Sequence, residues 1–218
     1  MSLENRKIFE NELLKELKAI TPSKLIGTDK IKILASKNKL KFKFKFEKAY
    51  VAELYLEHLT NANGYYLGWH VFGGPIFECT ANFIAPYKSN LLNKACSSYT
   101  TLKIEDKKLT LVSGGVLKTP TPEDAVAISK HIRQVIEEDY IPKIAGCIIA
   151  SERTIQDVND APNIYAYPAI FIHCAIMQNP KILKKDLFKK IISNKKIIKD
   201  NNFDLELLES YLDSQLTD

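Results

Sequence analysis

The chain of 218 residues carries 31 lysines and arginines against 26 aspartates and glutamates, a formal charge of +5, and 45% of it is hydrophobic. That size and balance suit one globular domain with a core that needs no cross-links, and they exclude a disordered or fibrous chain. No apolar run reaches the roughly 20 residues of a membrane-spanning helix.

Residues 4–19 read as an amphipathic helix, with Ile8, Leu13, Leu14 and Leu17 at three- and four-residue spacing. The polar, charged start makes a secretory segment unexpected. Pro22 and Gly27 end the helix. Ile31 and Ile33 open a strand, Ser36-Lys37-Asn38 turns it, and the run Lys39 to Phe46 returns. That run alternates lysine with Leu40, Phe42, Phe44 and Phe46. Successive strand side chains point to opposite faces, so the run predicts a sheet with one apolar face and one lysine face.

Residues 48–60 read as a short helix, with Tyr50, Leu54 and Tyr55 or His58 on one face. Asn61-Ala62-Asn63-Gly64 is a turn signal. Tyr65 to Phe72 and Ile76 to Ile84 read as two strands joined through Gly73-Gly74-Pro75. Residues 89–97 read as a helical turn, and Thr100 to Ile104 with Leu109 to Val112 as a hairpin that Gly114-Gly115 breaks. Thr121-Pro122-Glu123-Asp124 is a helix start, with a capping threonine, a proline suited to the first turn, and two acids at the positive end. Ala125, Ile128, Ile132 and Ile136 follow on one face, and Asp139 to Pro142 ends or kinks that helix.

Ser151 to Val158 is a short segment, and Pro162 and Pro168 bracket an irregular link. Three helical stripes follow: Phe171, Cys174 and Ala175; then Leu183, Leu187, Phe188 and Ile191; then Leu205, Leu208, Tyr211 and Leu212. Residues 181–199 are lysine-rich while 204–218 carry acids and no base, so antiparallel pairing of those two helices would neutralise both. The expected fold is therefore α+β. An N-terminal helix and an antiparallel sheet of five to six strands occupy residues 1–118, and a mainly helical portion of the same domain occupies 119–218.

Chemistry is sparse in the sequence. Arginine occurs only at Arg6, Arg133 and Arg153. A basic chain that relies on lysine is poorly equipped for bidentate phosphate or base contacts, so nucleic acid is not the expected partner. His58, His70, His131 and His173 are isolated, and no spacing suggests a metal site or a cofactor. Cys79, Cys96, Cys147 and Cys174 form no Cys-x-x-Cys pair and read as free thiols in a reducing cytoplasm.

Two features remain as candidate binding surfaces. One is the lysine row Lys39, Lys41, Lys43 and Lys45, suited to an acidic protein partner or to guarding a sheet edge. The other is the aromatic strand around Tyr66, Trp69, His70 and Phe72, which holds the only tryptophan. Tyr165 and Tyr167 form a second aromatic patch, expected in a loop. The basic helix could lie on an anionic membrane, but packing accounts for its apolar stripe, and no membrane partner is expected. A dispersed acid–base site combining His70 with Glu137 to Asp139 is the enzymatic alternative.

The segment Thr121-Pro122-Glu123-Asp124-Ala125 through Glu138-Asp139-Tyr140-Ile141-Pro142, after a helix and antiparallel strands, resembles a group of uncharacterised bacterial α+β domains, some associated with polymorphic-toxin immunity. The early topology also resembles small secretion chaperones, which are shorter and acidic. Neither resemblance supplies catalytic residues. Both imply a bacterial, non-enzymatic protein whose partner is another protein.

Overall fold

A computed structural model describes residues 3–20, 29–36, 40–87, 96–100, 111–112, 116–200 and 202–211. Its elements give the expected α+β fold with an N-terminal helix, an antiparallel sheet and a helical C-terminal portion. The chain divides into two compact units, Met1–His70 with Ser98–Pro142, and Val71–Ser97 with Lys143–Asp218.

In the first unit, helix α1 (Leu3–Lys18) precedes strands β1 (Ile31–Ala35), β2 (Lys41–Phe46), β3 (Ala49–Leu59) and β4 (Gly64–Val71). Short strands β5 (Cys96–Thr100), β6 (Leu111–Val112) and β7 (Val116–Lys118) complete a sheet of order β1-β2-β3-β4-β7-β6, with β5 also paired to β4. Among the described residues the sheet has seven strands, three of them short, where about five to six were expected. The lysine–phenylalanine alternation of β2 behaves as physics requires: Phe42 and Phe44 are 1% and 0% exposed. On the same side, Phe9 of α1 meets Tyr65 of β4 edge to face at 5.1 Å, and Leu13 and Leu17 are buried nearby along α1. Each such fully buried side chain contributes about 1.5–3 kcal/mol. Helix α3 (Ala125–Val135) packs on α1 and buries Ile128 and Ile132.

Residues 49–59 form a strand, not the helix that their spacing suggests. Phe44 pairs with Ala52 and Lys45 with Tyr50, so Val51 has no partner across the pair and forms a β-bulge. Both Val51 and Ala52 are then buried, which breaks the two-residue period and mimics a helical one.

The expected strand from Ile76 is a helix, α2 (Pro75–Asn82). Pro75 occupies its first turn, where a missing N–H costs nothing. Gly74 enters it at φ +97°, a backbone setting open to glycine. A Cβ there would also come within 2.9 Å of Ile148. After α3 the chain does not stop at Pro142: a single π turn, Ile136–Tyr140, leads into α4 (Ile141–Ile148). The wider turn makes room for a proline ring that would clash with an ordinary preceding turn. The turn proposed at Ser36-Lys37-Asn38 lies partly, and those at Glu105 to Lys107 and Gly114-Gly115 entirely, outside the described residues, as does 89–95; Cys96 and Ser97 belong to a strand.

The second unit is helical: α2, α5 (Thr154–Asp160), α6 (Pro168–Gln178), α7 (Lys185–Ile192) and α8 (Phe203–Glu209). Helix α6 is its hub. It buries residues all round, packs on α2, α5 and α8, and is not the one-sided stripe expected. Cys79 of α2 and Cys174 of α6 form a disulfide, correcting the expectation of free thiols, while Cys147 is buried and free. Tyr165 and Tyr167 are 3% and 7% exposed and are core residues, with Tyr165 against Phe171 at 4.8 Å. Asp204 is fully buried and saturated: its Oδ2 accepts from the backbone N–H of Lys199 and Asp200 at 2.8 and 2.9 Å, and its Oδ1 accepts from the Tyr87 hydroxyl. No helix is long and apolar enough to cross a membrane among the described residues.

His173 of α6 sits 2.7 Å from the Tyr211 hydroxyl through Nδ1 and against the Phe83 ring. Burial holds this imidazole below its ordinary value. The unfolded chain, titrating near 6.5, therefore binds the proton more readily. The stability tied to His173 is complete above about pH 6.5 and is lost as pH falls through the lower folded value. The melting temperature is expected to drop between about pH 7 and pH 5, and less steeply in His173→Phe. A residual slope is expected in that variant, because His58 of the first unit is lowered in the same direction by burial and then by Arg6.

Candidate functional site

The face of the sheet opposite Phe9 is set by cross-strand pairing. Lys32 lies across from Lys45, Leu34 from Lys43, Lys43 from Glu53, Lys45 from Tyr50 and Lys41 from Tyr55. Directly opposed residues share a face, so these side chains form one lattice of lysine, tyrosine and glutamate. Lys43 is exposed, Tyr50 is 47% exposed and Leu34 45%. Of the expected lysine row, Lys41, Lys43 and Lys45 stand on this face; Lys39 lies outside the described residues.

The charges are not evenly satisfied. Glu53 gives Oε2 to Lys41 and Oε1 to His70 Nε2 at 3.0 Å, so both its oxygens are committed. Lys43 and Lys45 instead rest on one ring: their ammonium groups lie 5.0 and 4.5 Å from the Tyr50 centroid. Among the described residues, Lys32, Lys43 and Lys45 have no carboxylate partner. Cation–π contact of this kind is worth about 0.5–1 kcal/mol at an exposed site and leaves each ammonium its charge.

Beside that basic half lies an aromatic half. Tyr55 meets His70 at 5.9 Å and Tyr66 at 6.0 Å, both edge to face. The Tyr66 hydroxyl donates to Glu57. Burial and then that bond push the Tyr66 phenol well above its ordinary value, so it stays a donor. Gly68 of β4 is what lets the Tyr55 ring lie flat here, since a Cβ would come within 2.6–2.8 Å of that ring. An open groove of about 420 Å³ runs past Leu40, Lys41, Glu53, Tyr55, Leu56 and Glu57.

The strand alternation sorts the aromatic candidates. Tyr66 and His70 belong to this face. Trp69 does not: it is 1% exposed, on the core side with Tyr65, Leu67 and Val71, and cannot meet a partner. Phe72 is 37% exposed but follows the end of β4 and belongs to the second unit. Sequence reasoning missed Glu53 and Tyr55, because residues 48–60 read as a helix, and missed Tyr50 as the seat of the two lysines.

The acid–base alternative does not assemble as expected. Glu137 pairs with Arg133, which also reaches Glu16 of α1 at 3.3 Å. His70 faces the side of the sheet away from α1 and takes its carboxylate from Glu53. What this face presents is two cations over a ring, a donor phenol, and an imidazole held by a carboxylate. Comparison with protein-family models, with curated proteins and with solved structures finds no match to this chain.

Proposed function

We propose that this chain is a non-enzymatic binding protein that recognises an acidic protein through the lysine–tyrosine face of its sheet. The observation that carries the reading is the pair Lys43 and Lys45 on Tyr50, two cations with no carboxylate among the described residues on an otherwise ordered face. Their charge supplies long-range attraction, and Tyr50, Tyr55 and Leu34 supply apolar area for short-range affinity. An immunity-type or chaperone-like role, of the bacterial kind that the resemblance of the Thr121 to Pro142 segment implies, is the biological form this binding would take.

Reversing charge at exposed Lys43 and half-buried Lys45, both on the face away from the core, tests the reading with little risk to the fold. Wild type and Lys43→Glu/Lys45→Glu are immobilised, exposed to matched extracts, and retained proteins are identified by mass spectrometry. An acidic protein held by wild type and weakened about tenfold or more in the variant is the expected result, a factor equal to about 1.4 kcal/mol. The gap should widen at low salt. Equal retention by both proteins removes this face from the account.

A further inference from the structure

A second basic surface, on α7 and the turn that follows it, is independent of the sheet. Residues 181–199 contain eight lysines, at 181, 184, 185, 189, 190, 195, 196 and 199, and one acid, Asp186. All eight lysines are exposed, and among the described residues none is in an ion pair. The apolar side chains of the same segment are used elsewhere: Ile182, Phe188, Ile191, Ile197 and Ile198 are buried, and Leu183, Leu187 and Ile192 partly so. Packing has consumed the stripe that insertion into lipid would need. What it leaves outside is charge.

Three polyanions could answer to such a surface, and the residues separate them. An acidic protein interface needs aromatic or arginine anchors at its centre, and this segment exposes none. Nucleic-acid contact draws on arginine forks and stacked aromatic rings; residues 181–199 contain no arginine, and their one aromatic side chain, Phe188, is buried. A layer of anionic lipid headgroups asks only for a density of fixed positive charge, which Lys185, Lys189 and Lys190 on α7 and the five exposed lysines flanking it in sequence supply. We infer that the α7 surface docks the protein reversibly on an anionic membrane surface, by charge and without insertion.

The test is cosedimentation of the full chain with vesicles of phosphatidylcholine alone or with about one-third phosphatidylserine, at about 0.1 M and about 0.5 M salt. Binding to the anionic vesicles alone, lost at the higher salt, is expected. Each lysine near such a surface multiplies partitioning about fivefold, so Lys185→Glu/Lys189→Glu/Lys190→Glu, which also adds three repelling charges, should lower it by at least about a hundredfold. A second variant, Lys195→Glu/Lys196→Glu, should lower it by a smaller factor and guards against misfolding of the first, which circular dichroism monitors. Lys43→Glu/Lys45→Glu should leave most vesicle binding intact, so failure here is distinguishable from failure of the protein-partner reading. No binding to anionic vesicles at low salt overturns the inference. So does binding that both α7 variants retain, or retention on duplex DNA without retention on vesicles.

Discussion

Removing the Cys79–Cys174 bond is expected to cost the folded chain about 4 kcal/mol. The two residues are 95 positions apart, and closing a loop of that length removes enough freedom from the unfolded chain to favour folding by about 4–5 kcal/mol. The bond joins α2 to the hub helix α6, so its loss also frees the contact on which the second unit is assembled. Urea titrations with and without reductant measure the effect. Cys174 is 2% exposed, so reduction should proceed through the opened chain, within the titration itself. Cys79→Ser/Cys174→Ser should match the reduced wild type and ignore the reductant. An unchanged midpoint on reduction, with all four thiols free in the oxidised sample, would sink the assignment. The bond also withdraws the ground for placing the chain in a reducing cytoplasm, since that expectation rested on free thiols.

Asp204→Ala should be nearly as damaging, by about 3–5 kcal/mol. One buried carboxylate satisfies two backbone N–H groups, of Lys199 and Asp200, and the Tyr87 hydroxyl. Truncation strands three donors, each costing about 1–3 kcal/mol where water cannot replace the acceptor. Asp200 separately accepts from the N–H of Asn202 and Phe203, so the start of α8 keeps its own support. The loss should therefore appear as a lowered unfolding midpoint with helix content largely kept below the transition. Asp204→Asn, which retains one acceptor oxygen, should fall between the two. A midpoint shifted by less than about 1 kcal/mol would mean that the turn finds other partners.

The parts legible in the sequence were those whose local period agreed with their environment. The β2 alternation announced a two-faced sheet, and the stripe from Ala125 to Ile136 announced a helix, because one face of each is buried and the other is not; the helix starts at Ala125 after a turn, not at Pro122 behind a capping Thr121. Residues 49–59 misled because one extra residue at Val51 buried two neighbours in succession. Ile76 to Ile84 misled because Gly73-Gly74 looked like a strand turn, although Pro75 behind a glycine at positive φ is a helix entry. Trp69 was assigned to a surface by residue type, when strand parity with Tyr65 and Leu67 decides its side. The disulfide and the Glu53–His70 contact join positions distant in sequence, and no local pattern encodes them.

The bulge at Val51 has a consequence for how this chain tolerates length changes. Val51 is the residue of β3 that the register with β2 skips. Deleting it would leave Tyr50, Glu53 and Tyr55 facing water and Ala52 and Leu54 facing inward, as they do now. Deleting any single residue from Glu53 to Leu56 would instead exchange inside for outside along part of the strand. A residue can therefore be dropped at Val51 while Tyr50, Glu53 and Tyr55 keep their side of the sheet.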